Sequence, residues 1–296
     1  MIRLIANGDE SRWQAVAARV RGGSIRGGPD LGDFPSDSYD AVLLINPTQR
    51  ETESIGQSLA QGKHVLIASP AELSPAGLES FTSTAKRAGV QFAVVNFDRY
   101  LPSRQLLRQQ LDAGKLGRVG LIRMYRWETD QANSSAHQST LSARLVLDLD
   151  LALWIMGLAP HVVFATEARL PQDTGHGRTI QVHLGFPNGP MAMIAYSSAL
   201  PAGDDYRSLS VVGSSGAAYS DDHQNMQLIY RGDRPQAVRA EEGIRQLVNL
   251  TQDFIEAIQT QRDLSPSLTE WSRLNKVTHA VEESLASRRA ISLEGS

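Results

Sequence analysis

Three side chains stand where acid–base chemistry could be done: Ser69, His137 and Asp150. A histidine or a carboxylate can transfer a proton during a reaction, and a serine hydroxyl can bind the reacting group. The chain contains no cysteine, which excludes a thiolate nucleophile, a disulfide framework and a cysteine-based metal site. We predict no bound metal. What the three side chains can do depends on the elements that hold them.

Ser69 follows a short apolar strand, Val65–Ile67, which is rich in β-branched residues and ends before Pro70. This pattern is typical of a buried parallel strand. Ligands of open α/β sheets bind beyond the carboxyl ends of the strands, so Ser69 is expected to face a site. Strands alternate with amphipathic helices from residue 2 to residue 95, which predicts a parallel sheet with right-handed crossovers.

The first strand, Ile2–Ala6, runs into a turn that contains a single glycine, Gly8. A dinucleotide site needs several glycines here, because backbone amides at the helix N-terminus must approach the pyrophosphate. Asp9 and Glu10 put negative charge where a phosphate would lie. Acidic residues in a first helical turn also suit the helix dipole without any ligand, and we favour that interpretation.

The second predicted strand, Ser24–Arg26, ends in a basic residue. An acidic residue is expected at this end to hold an adenosine ribose hydroxyl. Arg26 is therefore compatible with a 2′-phosphate or with a solvated loop charge, and the sequence leaves both readings open.

The block from residue 92 to residue 117 carries the most specific pattern. A strand leads into a turn and a helix that carry Asn96, Arg99, Tyr100, Pro102, Asp112, Gly114, Leu116 and Gly117 at fixed spacing. With the stretch Gly62–Pro70, this block resembles the Gfo/Idh/MocA family of nicotinamide-dependent oxidoreductases of sugars and polyols. The resemblance covers nearly the whole chain. It implies NAD or NADP as cofactor, with candidate contacts from Asn7, Gly8, Arg26, Asn46, Pro47, Ser69, Asn96 and Arg99.

Two positions depart from the family pattern at the groups that handle protons. The family strand ends in Glu-Lys-Pro with a catalytic Lys, and Ser69 stands at the Lys position. In the helix 145–157, the family's catalytic His falls on Leu147 and a nearby Asp falls on Asp150. Neither Ser69 nor Leu147 can take a hydroxyl proton, so catalysis would require side chains in new roles. The candidate catalytic residues in such roles are Asp150, Ser69 and His137. A lone His in the polar loop 128–140 is more often a surface residue.

The pattern of elements predicts two domains, a Rossmann-like domain at 1–117 and an α/β substrate and oligomerisation domain at 118–296. Consecutive strands without intervening helices predict an open, mainly antiparallel sheet in the second domain. Helices at 245–258 and 269–287 cover the sheet or pack back on the first domain. Family members bury the open face of this sheet between subunits, so the resemblance implies a homo-oligomer.

The 296-residue chain has a formal net charge of -3. That charge argues against a nucleic-acid partner, because phosphate neutralisation requires clustered Lys and Arg. No apolar run is long enough to cross a bilayer, and the N-terminus shows no signal-peptide pattern. We predict a cytoplasmic protein with a sugar-like small-molecule ligand and no membrane partner.

Three functional hypotheses follow. The first is a family scaffold without ordinary dehydrogenase chemistry that binds a sugar-like ligand, a cofactor remnant or a partner. The second is an active NAD(P)-dependent oxidoreductase of a sugar or polyol with rearranged catalytic residues, drawn from Asp150, His137, Ser69 and Tyr100. The third is a structural or regulatory subunit of a catalytic relative.

Overall fold

The computed structural model describes residues 1–69, 73–129, 141–169, 177–200, 205–221, 226–230, 236–239 and 243–293. Within these ranges the helices are α1 (Glu10–Ala17), α2 (Gln49–Ala60), α3 (Pro75–Ala88), α4 (Pro102–Asp112), α5 (Ala143–Met156), α6 (Ile244–Gln259) and α7 (Pro266–Ser287). The strands up to residue 169 are β1 (Ile2–Asn7), β2 (Gly23–Gly28), β3 (Ala41–Ile45), β4 (His64–Ala68), β5 (Phe92–Val95), β6 (Val119–Thr129) and β7 (Val162–Arg169). The later strands are β8 (Arg178–Gly185), β9 (Met191–Leu200), β10 (Tyr206–Gly213), β11 (Gly216–Asp221), β12 (Met226–Tyr230), β13 (Gln236–Arg239) and β14 (Ile291–Ser292).

The chain divides into two compact units, Met1–Pro102 with Glu242–Ser272 (unit 1) and Ser103–Glu241 with Arg273–Ser296 (unit 2). Unit 1 contains a parallel sheet of order β2-β1-β3-β4-β5. Unit 2 contains a sheet of order β13-β12-β11-β10-β6-β9-β8-β7-β14, in which neighbours are antiparallel except the parallel pair β6 and β9. The predicted fold class is confirmed.

The unit 1 sheet forms because strands β3, β4 and β5 are apolar on both faces and helices cover them. In β4, the side chains of Val65, Leu66 and Ile67 are at most 1% exposed. The predicted apolar stripe of α6 lies in the same core, where Leu247 and Phe254 are fully buried. Helix α6, although distant in sequence, is therefore part of the packing that holds the strand ends in place.

Two predicted boundaries in unit 1 were wrong. The amphipathic pattern predicts a third helix over 71–88, but α3 begins at Pro75. It begins there because the Ser74 side chain accepts a hydrogen bond from the Gly77 amide and proline suits the first helical position. Strand β2 continues to Gly28 rather than ending at Arg26, because its last residues pair with the end of β1.

In unit 2, α5 packs on β6 and β9. Side chains of β6 alternate between the two faces of the sheet, with Met124 and Arg126 buried towards the helix and Arg123 and Trp127 on the open face. The alternating pattern predicts a strand over 119–127, and β6 extends two residues further, to Thr129. The two glycines at 213 and 216 predict a turn, and the structure has this turn between β10 and β11. The strands β11, β12 and β13 were not predicted, and they extend the sheet beyond that turn.

Candidate functional site

The carboxyl ends of the unit 1 strands form the edge where the sequence predicted a cofactor. At the end of β1, the Asn7 side chain bridges to β3: its Nδ2 donates to the Ile45 carbonyl over 3.0 Å, and its Oδ1 accepts from the Ile45 amide over 2.8 Å. Both ends of the Asn7 amide are thus used to extend the sheet. Gly8 is exposed with φ of 107°, a conformation that favours glycine.

The N-terminus of α1 is capped by the chain's own carboxylate. The Oδ1 atom of Asp9 accepts a hydrogen bond from the Ser11 amide over 2.7 Å. Hydrogen bonds from the side chain and backbone of Ser11, with a further one from the Arg12 amide, lower the pKa of Asp9 below its ordinary value. Glu10 adds a second carboxylate in the same turn, with its Oε1 3.3 Å from Gln14 Nε2.

Beneath this turn lies a large buried side chain, Trp13, which is 2% exposed. Its Nε1 donates to the Asn7 carbonyl over 2.9 Å. A Cβ placed on Gly27 would lie 1.9 Å from Trp13 Cδ1, so the indole fits only because β2 has a glycine there. The residues at α1 do not fit a dinucleotide phosphate: the amides that would bind it already bind Asp9.

Arg26, the cofactor contact predicted at the end of β2, lies inside that strand and is exposed. Its guanidinium lies 5.2 Å from the centre of the Phe34 ring and 3.2 Å from the Ser38 hydroxyl. Beyond the strand end stands Asp30, which the sequence analysis missed because it ended β2 too early. Its carboxylate accepts from the Gly32 amide over 2.8 Å and lies 3.3 Å from the Arg50 guanidinium.

At the end of β3, Asn46 is exposed with φ of 45°, and its amide donates to the Ala68 carbonyl over 2.9 Å. Pro47 is buried. Thr48 and Glu51 form a capping box that satisfies the first turn of α2. The helix ends at this edge are therefore capped from within the chain at both α1 and α2.

Ser69 follows β4 and is 5% exposed, with φ of 51°. Its amide donates to the Val95 carbonyl over 2.7 Å, and its hydroxyl oxygen accepts from the Phe97 amide over 2.8 Å. The side chain thus holds the turn after β5. Its structural role is sufficient to explain a small hydroxyl residue at this position.

The turn after β5 carries the remaining predicted contacts. Asn96 is fully buried, and its Oδ1 accepts from the Asp98 amide over 2.9 Å. Arg99 forms an ion pair with Glu270, and its side chain is 11% exposed. The Tyr100 hydroxyl donates to Asp253 over 3.0 Å, and burial, reinforced by that carboxylate, raises its pKa far above the ordinary value. Tyr100 is therefore held as a neutral phenol.

In unit 2, α5 is buried on nearly all sides, which brings both of its carboxylates into the interior. Asp148 and Asp150 are 3% and 2% exposed, and Leu147 is 8% exposed. Arg126 donates from Nε and Nη2 to the two oxygens of Asp148, each over 2.6 Å. This buried bidentate pair was missed. The alternating pattern of β6 could have predicted it, because this pattern places Arg126 on the buried face, where a charged group requires a partner.

A second polar pair lies near the N-terminus of α5. The Tyr196 hydroxyl of β9 donates to Glu128 of β6 over 2.9 Å. Burial raises the Tyr196 pKa to about 12, although a hydrogen bond with Ser142, the N-cap of α5, opposes this shift. The pair was hidden from the sequence analysis because Glu128 was placed in a loop.

His137 lies outside the described residues, so its predicted role stays a prediction. Among the residues that the structure describes, no group of three or more His, Asp or Glu side chains could hold a metal ion. None of the helices in the described ranges is long and apolar enough to span a membrane.

Comparison with known proteins agrees with this architecture. Residues 104–219 match the family model of the GFO/IDH/MocA C-terminal domain. The chain is 24% identical over 272 residues to an inositol 2-dehydrogenase of Rhizobium meliloti (strain 1021), covering 86% of this chain and 81% of the relative. It is 22% identical over 237 residues to the scyllo-inositol 2-dehydrogenase (NAD(+)) of Bacillus subtilis (strain 168), covering 73% of this chain and 66% of the relative.

Solved structures are similar along nearly the whole chain. An oxidoreductase from Agrobacterium radiobacter, in complex with NAD+, L-tartaric acid and magnesium, matches with a TM-score of 0.79 over 98% of both chains. The sequence identity is 16%, so this likeness shows the fold.

Proposed function

Because this chain belongs to the Gfo/Idh/MocA family, we propose that it binds a sugar-like or polyol ligand without catalysing ordinary hydride transfer. The proposal rests on which residues occupy the two positions where the resemblance implies a catalytic Lys and a catalytic His. One is Ser69, whose hydroxyl already accepts the Phe97 amide. The other is Leu147, which has no proton to exchange.

Two further ionisable groups, Asp148 and Tyr100, also lack the properties of a general base. Oxidation of an alcohol needs a group that takes the hydroxyl proton at working pH. Asp148 is held in a buried pair with Arg126, and the Tyr100 phenol has a raised pKa. We infer that unit 2 keeps a polar framework able to bind hydroxyl groups, while the proton transfer of the family chemistry has been lost.

The ligand class comes from the relatives, two of which are named as inositol dehydrogenases. The test is calorimetric titration of the protein with myo-inositol, scyllo-inositol and a panel of hexoses. We expect saturable binding of at least one polyol and no polyol-dependent reduction of NAD+ or NADP+. Failure of every polyol to bind at about 10 mM would refute the ligand assignment.

The second candidate is an active NAD(P)-dependent oxidoreductase with rearranged catalytic groups. Asp150 favours it, because this buried carboxylate stands where the resemblance implies a residue near the substrate. The discriminating experiment is the Asp150→Asn variant. If the wild-type protein reduces NAD+ with a polyol and the variant does not, the second candidate is correct and the first is wrong.

We also propose that the protein forms a homo-oligomer through the open face of the unit 2 sheet. This face presents Trp127, Phe164, Met191, Val212 and Tyr219, which are 37–48% exposed. Apolar side chains clustered on a sheet face are typical of an interface, whereas scattered ones are not.

Light scattering after gel filtration tests the assembly. We expect wild-type protein to be oligomeric and Met191→Glu to shift it towards the monomer. Leu158→Glu, at a residue that is 44% exposed just beyond α5, is the matched control and should not change the mass. A monomeric wild-type protein, or equal effects of the two variants, would refute this interface.

A further inference from the structure

The spacing of residues in the first turn can be compared with that of a dinucleotide-binding turn. Such a turn uses three glycines: one for the tight turn, one for close approach of the backbone to the pyrophosphate, and one for helix packing. Counted from Gly8, the second position is Glu10 and the third is Trp13. Only the first of the three requirements is met.

We propose that the Asp9 carboxylate, with Glu10 beside it, occupies the place of a dinucleotide diphosphate at α1 and thereby excludes NAD(H) and NADP(H) from unit 1. A diphosphate and a carboxylate compete for the same donors, the amides of the first helical turn. In this chain the Ser11 amide binds Asp9 over 2.7 Å. An incoming diphosphate would lose that donor and would face two negative charges.

The exclusion is built into the fold, because the turn is fixed from below. Trp13 is buried, donates to the Asn7 carbonyl, and fills the space that Gly27 leaves open. Asn7 in turn is tied to β3 by two hydrogen bonds. Rearranging the turn for a ligand would require breaking these contacts together.

The carboxylate just beyond β2 is likewise engaged by groups of the chain itself. An acidic residue there would hold a ribose hydroxyl in a dinucleotide site. Asp30, just beyond β2, already accepts the Gly32 amide and lies 3.3 Å from Arg50. A ribose hydroxyl would therefore have to share the Asp30 carboxylate with these contacts.

This inference goes beyond the proposed function, because it concerns the anion site of unit 1 and not proton transfer at Ser69 and Leu147. Polyol binding and NADH binding are measured in separate titrations. Either proposal can therefore fail while the other stands.

The test is calorimetric titration of the full chain with NADH, and separately with inorganic pyrophosphate. The variants are Asp9→Asn and the double variant Asp9→Asn/Glu10→Gln. Asparagine caps helices as well as aspartate does, so α1 is retained while the charge is removed. The matched control is Asp263→Asn, at another exposed aspartate whose carboxylate caps a turn by accepting the Ser265 amide over 2.9 Å.

We expect wild-type protein and Asp263→Asn to bind NADH with dissociation constants above about 1 mM. The double variant should bind NADH and pyrophosphate at least about tenfold more tightly, because two negative charges are removed from the helix turn that the diphosphate would approach. Micromolar binding of NADH by the wild-type protein would overturn the proposal. Equally weak binding by the double variant, with circular dichroism showing the fold intact, would also overturn it.

Discussion

The buried pair of Arg126 and Asp148 gives the sharpest prediction of stability. Replacing Asp148 with Asn keeps the side-chain volume but removes the carboxylate charge from the bidentate pair with Arg126. The two side chains are 3% and 4% exposed, so water cannot replace the lost partner. Breaking a buried pair in this way costs about 3–5 kcal/mol, and two charge-assisted hydrogen bonds at 2.6 Å give a total of the same order.

The partly exposed pair of Arg178 and Glu167 in the same sheet is the matched control. It is also bidentate, with distances of 3.0 and 2.8 Å, but its side chains are 30% and 20% exposed. Solvent screens such a pair, so Glu167→Gln should cost about 1 kcal/mol. The comparison therefore isolates burial, because geometry and chemical groups are shared.

Urea unfolding followed by tryptophan fluorescence measures both variants. We expect the unfolding midpoint of Asp148→Asn to fall by roughly 1–2 M relative to the wild-type protein. The double variant Arg126→Met/Asp148→Leu should recover most of this loss, because apolar groups of similar volume often replace buried pairs without cost. Equal effects of Asp148→Asn and Glu167→Gln, or no recovery in the double variant, would refute the reasoning.

Two further predictions concern unit 1. Gly27→Ala should destabilise the protein by about 1–3 kcal/mol because its Cβ would overlap the Trp13 indole, whereas Gly120→Ala, with its nearest atom at 3.9 Å, should be close to neutral in the same urea assay. Rescue of Gly27→Ala by Trp13→Leu would support the overlap, and a neutral Gly27→Ala would contradict it. Burial lowers the pKa of His64, whose Nδ1 accepts the Gln91 amide over 3.0 Å, so the unfolded chain takes up a proton first as pH falls. Stability should therefore decline below about pH 6.5. Between about pH 7.5 and pH 5, the thermal unfolding temperature of His64→Gln should decline less than that of the wild-type protein. The control His161→Gln, at an exposed histidine, should behave as wild type. Identical pH profiles for all three proteins would refute this role for His64.

The sequence predicted the architecture where local patterns are strong. The apolar runs 41–45 and 65–67 predict two buried strands, and the apolar stripe over 245–258 predicts a helix packed on a core. The structure has β3, β4 and α6 at these places. Strand β11 was missed because its sequence, GAAYSD, lacks β-branched residues, and it is a strand through pairing with β10 and β12. Such pairing is a tertiary effect that overrides weak local propensity.

The candidate site was harder to predict because its contacts join residues distant in the chain. Residues two apart on a helix do not share a face, which predicts that Asp148 and Asp150 point in different directions. Helix α5 is buried on almost every side, however, so both carboxylates are interior. Arg99 was expected near a cofactor, and it pairs with Glu270, 171 residues away. The sequence shows that Asp9 precedes a helix. It does not show that the Trp13 indole packs on Gly27, because this contact depends on the tertiary packing of α1 against β2.

The most direct test of the central claim is a search for polyol-dependent reduction of NAD+ and NADP+ by the wild-type protein at about 10 mM cofactor and polyol. We predict no reduction above the rate without protein, because Ser69 is engaged in holding a turn and Leu147 cannot accept a proton. Reduction that depends on both protein and polyol, and that is abolished by Asp150→Asn, would contradict the account.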